Sequence, residues 1–518
     1  MDDQQEVGDF LAQGASYGLP GAPVEQIVTH ISRLFLIGER VFKLKRAVKF
    51  SYLDYSTLER RERFCRAELA LNRRTAPGIY LGLSAVTRAR DGRLALDGSG
   101  AAVDWLVQMH RFDQDDVFDR MAAARRLTPA LMRDLADAVA AFHGAAEITR
   151  DYGGRDSVAR TIAINDENLR LAAPPFERGR IDRLHAGSQA HLARLGPLLE
   201  ARRAAGKVRR CHGDLHLRNV CLFEGRPTLF DGIEFNDEFA CIDVLYDLAF
   251  LLMDLVERGR EDDANLVLNR YLDRSGESDG LAALPLFQSM RAAVRAHVLG
   301  ALLRSGKTPP EVQAADGYLA LALALLEPHP PRLLALGGLS GTGKSTVAQA
   351  LAPGFPPAPG ARLIRSDVLR KRLAGVAPET RLPRESYTPA VSARVYAALG
   401  EEAERALAAG YSAVVDAAFL RAEERRAIAA LAAKAGIPFT GLWLEAPAER
   451  LEARIAARRG DASDADRAVL HWQRGIDTGP IEWLRVDAAG GVAETVAGAR
   501  ALSATAAPAR SSSSAGCG

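Results

Sequence analysis

The sequence predicts two units in tandem: an α+β half, then an α/β half whose parallel sheet carries helices on both faces. Three observations lead there. The run "EPHPPR" at 327–332 is too rich in proline to continue a helix or a central strand, so it reads as a linker. After it, "RLLALGG" (332–338) reads as a short buried strand that enters a glycine-rich turn and then a helix. Before it, strand-like and hairpin segments give way to a helix-rich run over 281–326.

Taken in order, residues 1–20 are expected to be loose, 21–105 to form a smaller lobe and 106–326 a helical lobe. Residues 327–332 are the linker, 333–502 the second unit, and 503–518 a low-complexity tail. Within the first lobe "RVFKLKRAV" (40–48) is a strand that puts Lys43 and Lys45 on one face. Ser56 and Glu59 form a capping-box pair that opens a helix carrying Glu68. "VCLF" (220–223) and "RPTLFD" (226–231) make a hairpin about a two-residue turn. In the second unit, "RLIRSD" (362–367) and "YSAVVD" (411–416) are strands that end in acids.

Residues 338–345, "GLSGTGKS", fit the phosphate-loop pattern G-x-x-x-x-G-K-[ST], with a strand before and a helix after. Gly338, Gly341 and Gly343 let the backbone wrap a phosphate, with Ser340, Thr342 and Thr346 completing the cradle. The helix N-terminus adds a favourable dipole. Lys344 would reach the β- and γ-phosphates of ATP, and Ser345 would ligate Mg²⁺. Ligands of open α/β sheets sit beyond the carboxyl ends of the strands, so Asp367 and Asp416 would face the same crevice. Asp416 fits a Mg²⁺-binding acid or, alternatively, a cap for the next helix. Asp367 fits a base for a substrate hydroxyl, with Arg370 one turn on as a substrate anchor. The alternative is a plain helix cap with a solvated arginine. Arg454 and Arg458 lie four apart on an arginine-rich helix, which reads either as a lid that closes on the phosphates or as a solvated face.

Residues 212–219 read "HGDLHLRN", with Asp214 and Asn219 five apart. That spacing matches a kinase catalytic loop, in which the Asp is the base and the Asn holds metal. The hairpin then delivers Asp231 where a second metal-binding carboxylate is needed. Upstream, Lys43 or Lys45 should grip the α- and β-phosphates, with Glu68 as its partner. Strand phase alone leaves both open; the aromatic-Lys-Leu order about Lys43 resembles the kinase-family pattern, and that resemblance favours Lys43. Asp243 and Asp247 read as braces for the catalytic loop, as do His212 and His216, and Cys211 as a buried structural residue.

"CHGDLHLRNV", "LFDGIEFND" and "IDVLYDLAFLLMDL" resemble the aminoglycoside phosphotransferase/choline kinase branch of the kinase fold. "GLSGTGKST", "IRSDVLRKRLAG", "VVDAAF" and "RRGDASDAD" resemble P-loop kinases of the gluconate-kinase, chloramphenicol-phosphotransferase and polynucleotide 5′-kinase types. The combination resembles a family of bacterial bifunctional proteins, an aminoglycoside phosphotransferase-like domain followed by a P-loop kinase or AAA-family ATPase domain. That resemblance implies a kinase-like α+β domain, an α/β P-loop domain, and ATP-dependent phosphoryl transfer to hydroxyls of small molecules. The alternative is an ATP-hydrolysing switch whose first half senses a ligand. A polycationic acceptor would call for an acidic pocket, for which Glu234, Asp237, Glu238 and residues 261–263 are candidates.

Composition is ordinary for a globular chain: 518 residues, 48% hydrophobic and 25% charged. With 67 basic and 65 acidic residues, nothing calls for a nucleic-acid partner. The apolar stretch at 318–326 falls short of the roughly 18 residues of a membrane span. The acidic start "MDDQQEVGDF" is neither a secretory signal nor a transit peptide. Five scattered cysteines without a CxxC pair suggest reduced thiols, hence a cytoplasmic setting. Only eight of the 67 basic residues are lysines, which singles out Lys43, Lys45, Lys49 and Lys344, of which Lys49 reads as a solvated loop charge.

Overall fold

The computed structural model describes residues 3–50, 53–172, 176–303, 309–457 and 462–505. The first lobe is a six-stranded antiparallel sheet, and its spatial order departs from chain order. The strand Arg40–Lys45 lies inside it, between Ser32–Ile37 and Ala101–His110, so Lys43 pairs with Leu34 on one side and Val107 on the other. The helix Leu58–Asn72 packs against the sheet. Its cap is Thr57, whose hydroxyl accepts from Arg60 N, and not Ser56, which turns its own hydroxyl onto Asp54. The first residues differ from expectation too. Asp3–Leu11 is a helix, with Val7 and Leu11 buried beside Phe35 and Phe42 of the sheet. Its apolar side is one more layer over a sheet face that would otherwise meet water.

The helical lobe carries the 212–219 segment and the hairpin Val220–Phe223/Arg226–Leu229. Residues 327–332 hold no helix or strand. Beyond them, five strands run parallel in the order Arg362–Arg365, Ala413–Asp416, Leu333–Gly337, Phe439–Glu445, Leu484–Asp487. Parallel pairing aligns the strand ends: Asp416 stands in register with Leu336 on one side and Arg365 on the other.

The two halves share one core. Leu369, Leu399 and Ala403 of the second belong to the same buried cluster as Leu268, Leu272 and Ala283 of the first. Arg362–Arg365 is an edge strand, and an uncovered edge exposes unpaired backbone groups. Here the helix Glu261–Ser275 of the first half covers it with side chains in place of a strand. Asn269 Oδ1 accepts from Leu363 N at 2.7 Å and from Arg362 Nη1 at 3.1 Å. Asn269 and Asn265 both donate Nδ2 to Ala361 O, at 3.2 and 3.0 Å. Arg362, 1% exposed, also reaches Asp273 at 2.6 Å. Glu402 accepts from Ser278 Oγ of the first half at 3.0 Å and stands 2.5 Å from Arg372 and 3.9 Å from Arg362.

Replacing Asn269 by Leu strands Leu363 N and part of Arg362, which is expected to cost about 2–4 kcal/mol in urea unfolding. Lys434→Ala, which removes an exposed ion pair with Glu404, should cost less than about 1 kcal/mol in the same assay. Burial alone would raise the Glu402 carboxyl, but Arg362 and Arg372 outweigh it and bring it down to about 2. Its contribution is therefore present above the usual glutamate range and is lost as pH falls toward that value. Between pH 5 and 3, Glu402→Gln should lose less stability than the parent. Parallel stability–pH curves would remove Glu402 from the account.

Candidate active sites

In the first half, two lysines two apart on one strand face reach one acid. Lys43 Nζ donates to Glu68 Oε1 at 2.8 Å and to Asp231 Oδ1 at 2.6 Å. Lys45 Nζ takes the other oxygen, Glu68 Oε2, at 2.6 Å and continues to Glu234 Oε1 at 2.5 Å. Tyr55 OH donates to the same Glu234 oxygen at 2.6 Å. Lys43 alone touches Asp231. Lys45 lies deeper, 1% exposed, as an inner fastener. Burial disfavours both ammonium charges, yet Asp231 and Glu68 hold Lys43, and Glu234 and Glu68 hold Lys45, well above the usual range. Asp231 sits in the left-handed region at φ 61°, and Asn72 of the Glu68 helix pins the next residue by accepting from Gly232 N at 2.8 Å.

The loop at 212–219 is held from behind. Asp247 Oδ2 and Oδ1 accept from His212 N and Gly213 N at 3.0 and 2.9 Å. His143 Nε2 lies 3.1 Å from Asp247, and its Nδ1 is 2.9 Å from Tyr271 OH on the helix that covers the edge strand. Asp243 instead takes Arg202 through both oxygens at 2.8 Å and caps the helix Val244–Glu257. In front, Asn219 Nδ2 donates to Asp214 Oδ2 at 2.8 Å and to its backbone carbonyl at 2.9 Å. His216 Nε2 lies 3.3 Å from the same carboxylate. Burial would raise the Asp214 carboxyl, but His216 and His212 outweigh it and hold it below the usual range. Cys211 is buried, as expected.

Three of the acids suggested for a cation pocket are otherwise engaged. Glu234 belongs to Lys45 and Tyr55, Asp237 pairs with Arg210 at 2.7 Å, and Asp263 pairs with Arg260. Gly38, the one glycine of residues 30–40, lies in the turn between Ser32–Ile37 and Arg40–Lys45. The turn ahead of Ser32 has no glycine; it is held by Thr29 Oγ1, which accepts from Ser32 N at 2.9 Å, and by Arg46 on the Thr29 and His30 carbonyls.

In the second half the phosphate loop joins Leu333–Gly337 to the helix Lys344–Leu351. Gly341 must be glycine: φ is 89° and a Cβ would stand 2.7 Å from Leu451 O. Lys344 Nζ leans on the loop itself, donating to Gly338 O at 2.8 Å and Leu339 O at 2.9 Å. Ser345 Oγ donates to Asp416 Oδ2 at 2.5 Å, and Arg365 Nε lies 3.4 Å from that oxygen. Thr342 is buried and bonds Leu339 O, whereas Thr346 is exposed on the helix. Asp416 caps nothing, since the next helix starts at Ala422. Nor is Asp367 a cap: it occupies the first turn of Ser366–Leu373, three residues before Arg370. Burial, with Asp416 beside it, raises the Asp367 carboxyl, while Arg365, Ser463 and Lys344 pull it down.

Arg370 is buried rather than solvated. It donates to Ser386 O at 2.7 Å and stacks on Tyr387, 4.8 Å to the ring centre. It has no carboxylate partner among the described residues. Arg454 is engaged on the side of its helix away from the loop contact. It donates to Gly490 O at 2.8 Å and ties its helix, Ala448–Ala457, to the turn after the last strand. The part of that helix that meets the glycine-rich loop is apolar, Leu451 and Ile455 against Leu339. Arg458 lies outside the described residues. Three functional candidates escaped the sequence: Tyr387, Asp464 and Gln473. Asp464 sits in the acid-rich "GDASDAD" stretch, a weak signal, whereas Gln473 and Tyr387 carry none.

A hard cation is matched by oxygen donors in both halves: the Ser345 hydroxyl beside the Asp416 carboxylate, and the Asn219 and Asp231 side chains. Among the described residues no helix is long and apolar enough to cross a membrane.

Comparison with known proteins agrees with this division. Residues 44–287 match the model of the "Phosphotransferase enzyme family", and residues 333–476 match that of an "AAA domain". The uncharacterized protein Rv2004c of Mycobacterium tuberculosis is 31% identical over 475 residues, spanning 89% of this chain and 92% of its own length. Among solved structures, a choline/ethanolamine kinase family protein from Mesorhizobium loti aligns over 62% of this chain and 95% of its own, at 14% identity and a TM-score of 0.39. The APS kinase of Mycobacterium tuberculosis aligns over 34% and 99%, at 22% identity and a TM-score of 0.26. With a relative of that identity matched almost end to end, the chain belongs to a family of two-part proteins in which a phosphotransferase-family half precedes an AAA-domain half.

Proposed function

We propose that the chain is an ATP-dependent phosphotransferase with two nucleotide sites, each passing the γ-phosphoryl group of Mg-ATP to a hydroxyl of a small molecule. One observation carries the reading. Each half carries a half-buried carboxylate besides those that suit metal binding: Asp214, tied to Asn219 and His216, and Asp367, electrostatically coupled to Lys344 and Asp416. Hydrolysis needs only a positioned water, whereas transfer to an alcohol uses a base for the departing proton.

In the first half Asp214 takes the acceptor proton, with Asn219 fixing which oxygen faces it. Lys43, steadied by Glu68, neutralises phosphate charge. In the second half the loop amides and Lys344 hold the phosphates, Asp367 takes the proton, and Arg370 anchors the acceptor. Asn219 with Asp231, and Ser345 with Asp416, would hold Mg²⁺. When bound, the ion offsets charge on the transferring group. A cytoplasmic protein acting on small molecules fits these sites.

Two outcomes test the reading. With a metabolite pool and mass detection, Asp214→Ala should abolish one phosphorylated product, a loss of about 10²–10⁴-fold. Lys344→Ala should abolish a different one, by about 10²–10³-fold. If neither change affects ATP turnover, both sites are misassigned. ATP loss without any phosphorylated product, sensitive only to Lys344→Ala, would instead favour a hydrolysing switch. Separately, EDTA should stop turnover at both sites and excess Mg²⁺ should restore it; turnover that persists in chelator removes Asn219, Asp231, Ser345 and Asp416 from metal binding.

A further inference from the structure

The stretch from Ser463 to Gln473 touches both sides of the second site. At its start, the Ser463 hydroxyl hydrogen-bonds the Asp367 carboxylate. Next to it Asp464 Oδ2 accepts from Lys371 Nζ at 2.5 Å, Tyr387 OH at 2.5 Å and Leu382 N at 2.9 Å. Lys371 is 1% exposed and lies one residue past Arg370; Tyr387 is the ring on which Arg370 stacks. One carboxylate therefore gathers the helix that carries Asp367 and Arg370 and the 380–387 segment that walls them.

Asp466 then caps the helix Arg467–Arg474 by accepting from Val469 N at 2.9 Å. This helix buries Leu470 with Leu451, Ile455 and Leu339 of the phosphate loop. On its last turn Gln473 Oε1 accepts from Ser340 N at 2.8 Å. A buried loop amide without a partner would be costly, and a carboxylate in that place would repel phosphate; a neutral amide oxygen avoids both.

We propose that Asp464 and Gln473 are positioning residues of the second site. Gln473 holds the shape of the phosphate loop, and Asp464 holds the acceptor wall. The short stretch between them sets the spacing between nucleotide and acceptor acid. The proposal rests on the reading of this half as a phosphoryl-transfer site. Geometry of this kind is sensitive, since a displacement of about 1 Å at a reacting centre can cost about 100-fold.

The test uses the full chain and two quantities: calorimetric affinity for the non-hydrolysable analogue AMP-PNP with Mg²⁺, and the share of ATP turnover that Lys344→Ala abolishes. Gln473→Ala should weaken analogue binding at one site about tenfold, and Gln473→Glu further still. Asp464→Asn should leave binding in place but cut the Lys344-dependent turnover about 100-fold. Tyr387→Phe, which removes one donor and keeps the ring, should lower turnover in the same sense by less, and covers the case in which Asp464→Asn fails to fold. If Lys344→Ala leaves both binding events intact, the phosphate-loop reading itself fails. If Lys344→Ala removes one event but the Gln473 variants bind as the parent does, or if Asp464→Asn weakens binding as much as Gln473→Ala, the division of roles proposed here is wrong.

Discussion

The architecture turns on a few amide bonds at one sheet edge. An edge strand needs its backbone groups satisfied, and in this chain Asn265 and Asn269, borne on a helix of the other half, satisfy them. That arrangement places a charged residue, Arg362, wholly inside the protein, where it is tolerable only because Asp273, Asn269 and Glu402 surround it. The strand so fixed leads straight into the turn of helix bearing Asp367. The covering helix also carries Tyr271, which meets His143, which meets Asp247, which holds the His212–Gly213 backbone. Both catalytic candidates thus lean on one helix from opposite sides.

The two halves manage charge in different ways. The first pairs its lysines with acids so closely that Glu68 serves two of them, one per oxygen. Its positive charge is matched in place by carboxylates, and a nucleotide would have to compete with Asp231 for Lys43. The second uses backbone dipoles. Lys344 donates to carbonyl oxygens of its own loop and is electrostatically coupled to Asp367.

What was legible in the sequence is what is local. The phosphate loop, the Asp214–Asn219 spacing and the hairpin to Asp231 are each set by neighbours a few residues away, and all take the expected form. The Lys43–Glu68 pair, 25 residues apart, is what the kinase pattern asks for, whereas the Lys43–Asp231 contact joins residues 188 apart and was not expected. Gln473 on Ser340 spans 133 residues and Asn269 on Leu363 spans 94, with no pattern to announce either. Smaller departures are also physical. Two adjacent hydroxyls, Ser56 and Thr57, compete for one cap, and backbone direction decides for Thr57. Arg454 has the spacing of a lid residue but sits on a helix whose apolar residues claim the contact with the loop.

The side-chain cover of the edge strand also has an order in time. Asn265 and Ala361, which it joins, are 96 residues apart, and the asparagine is made first. At about 5–20 residues per second of synthesis, the helix leads the strand by roughly 5–20 seconds. The covering helix can therefore be in place before the edge strand is made, and that strand is then laid down against it. With the two halves encoded in the opposite order, the same edge would emerge from the ribosome with no surface to receive it.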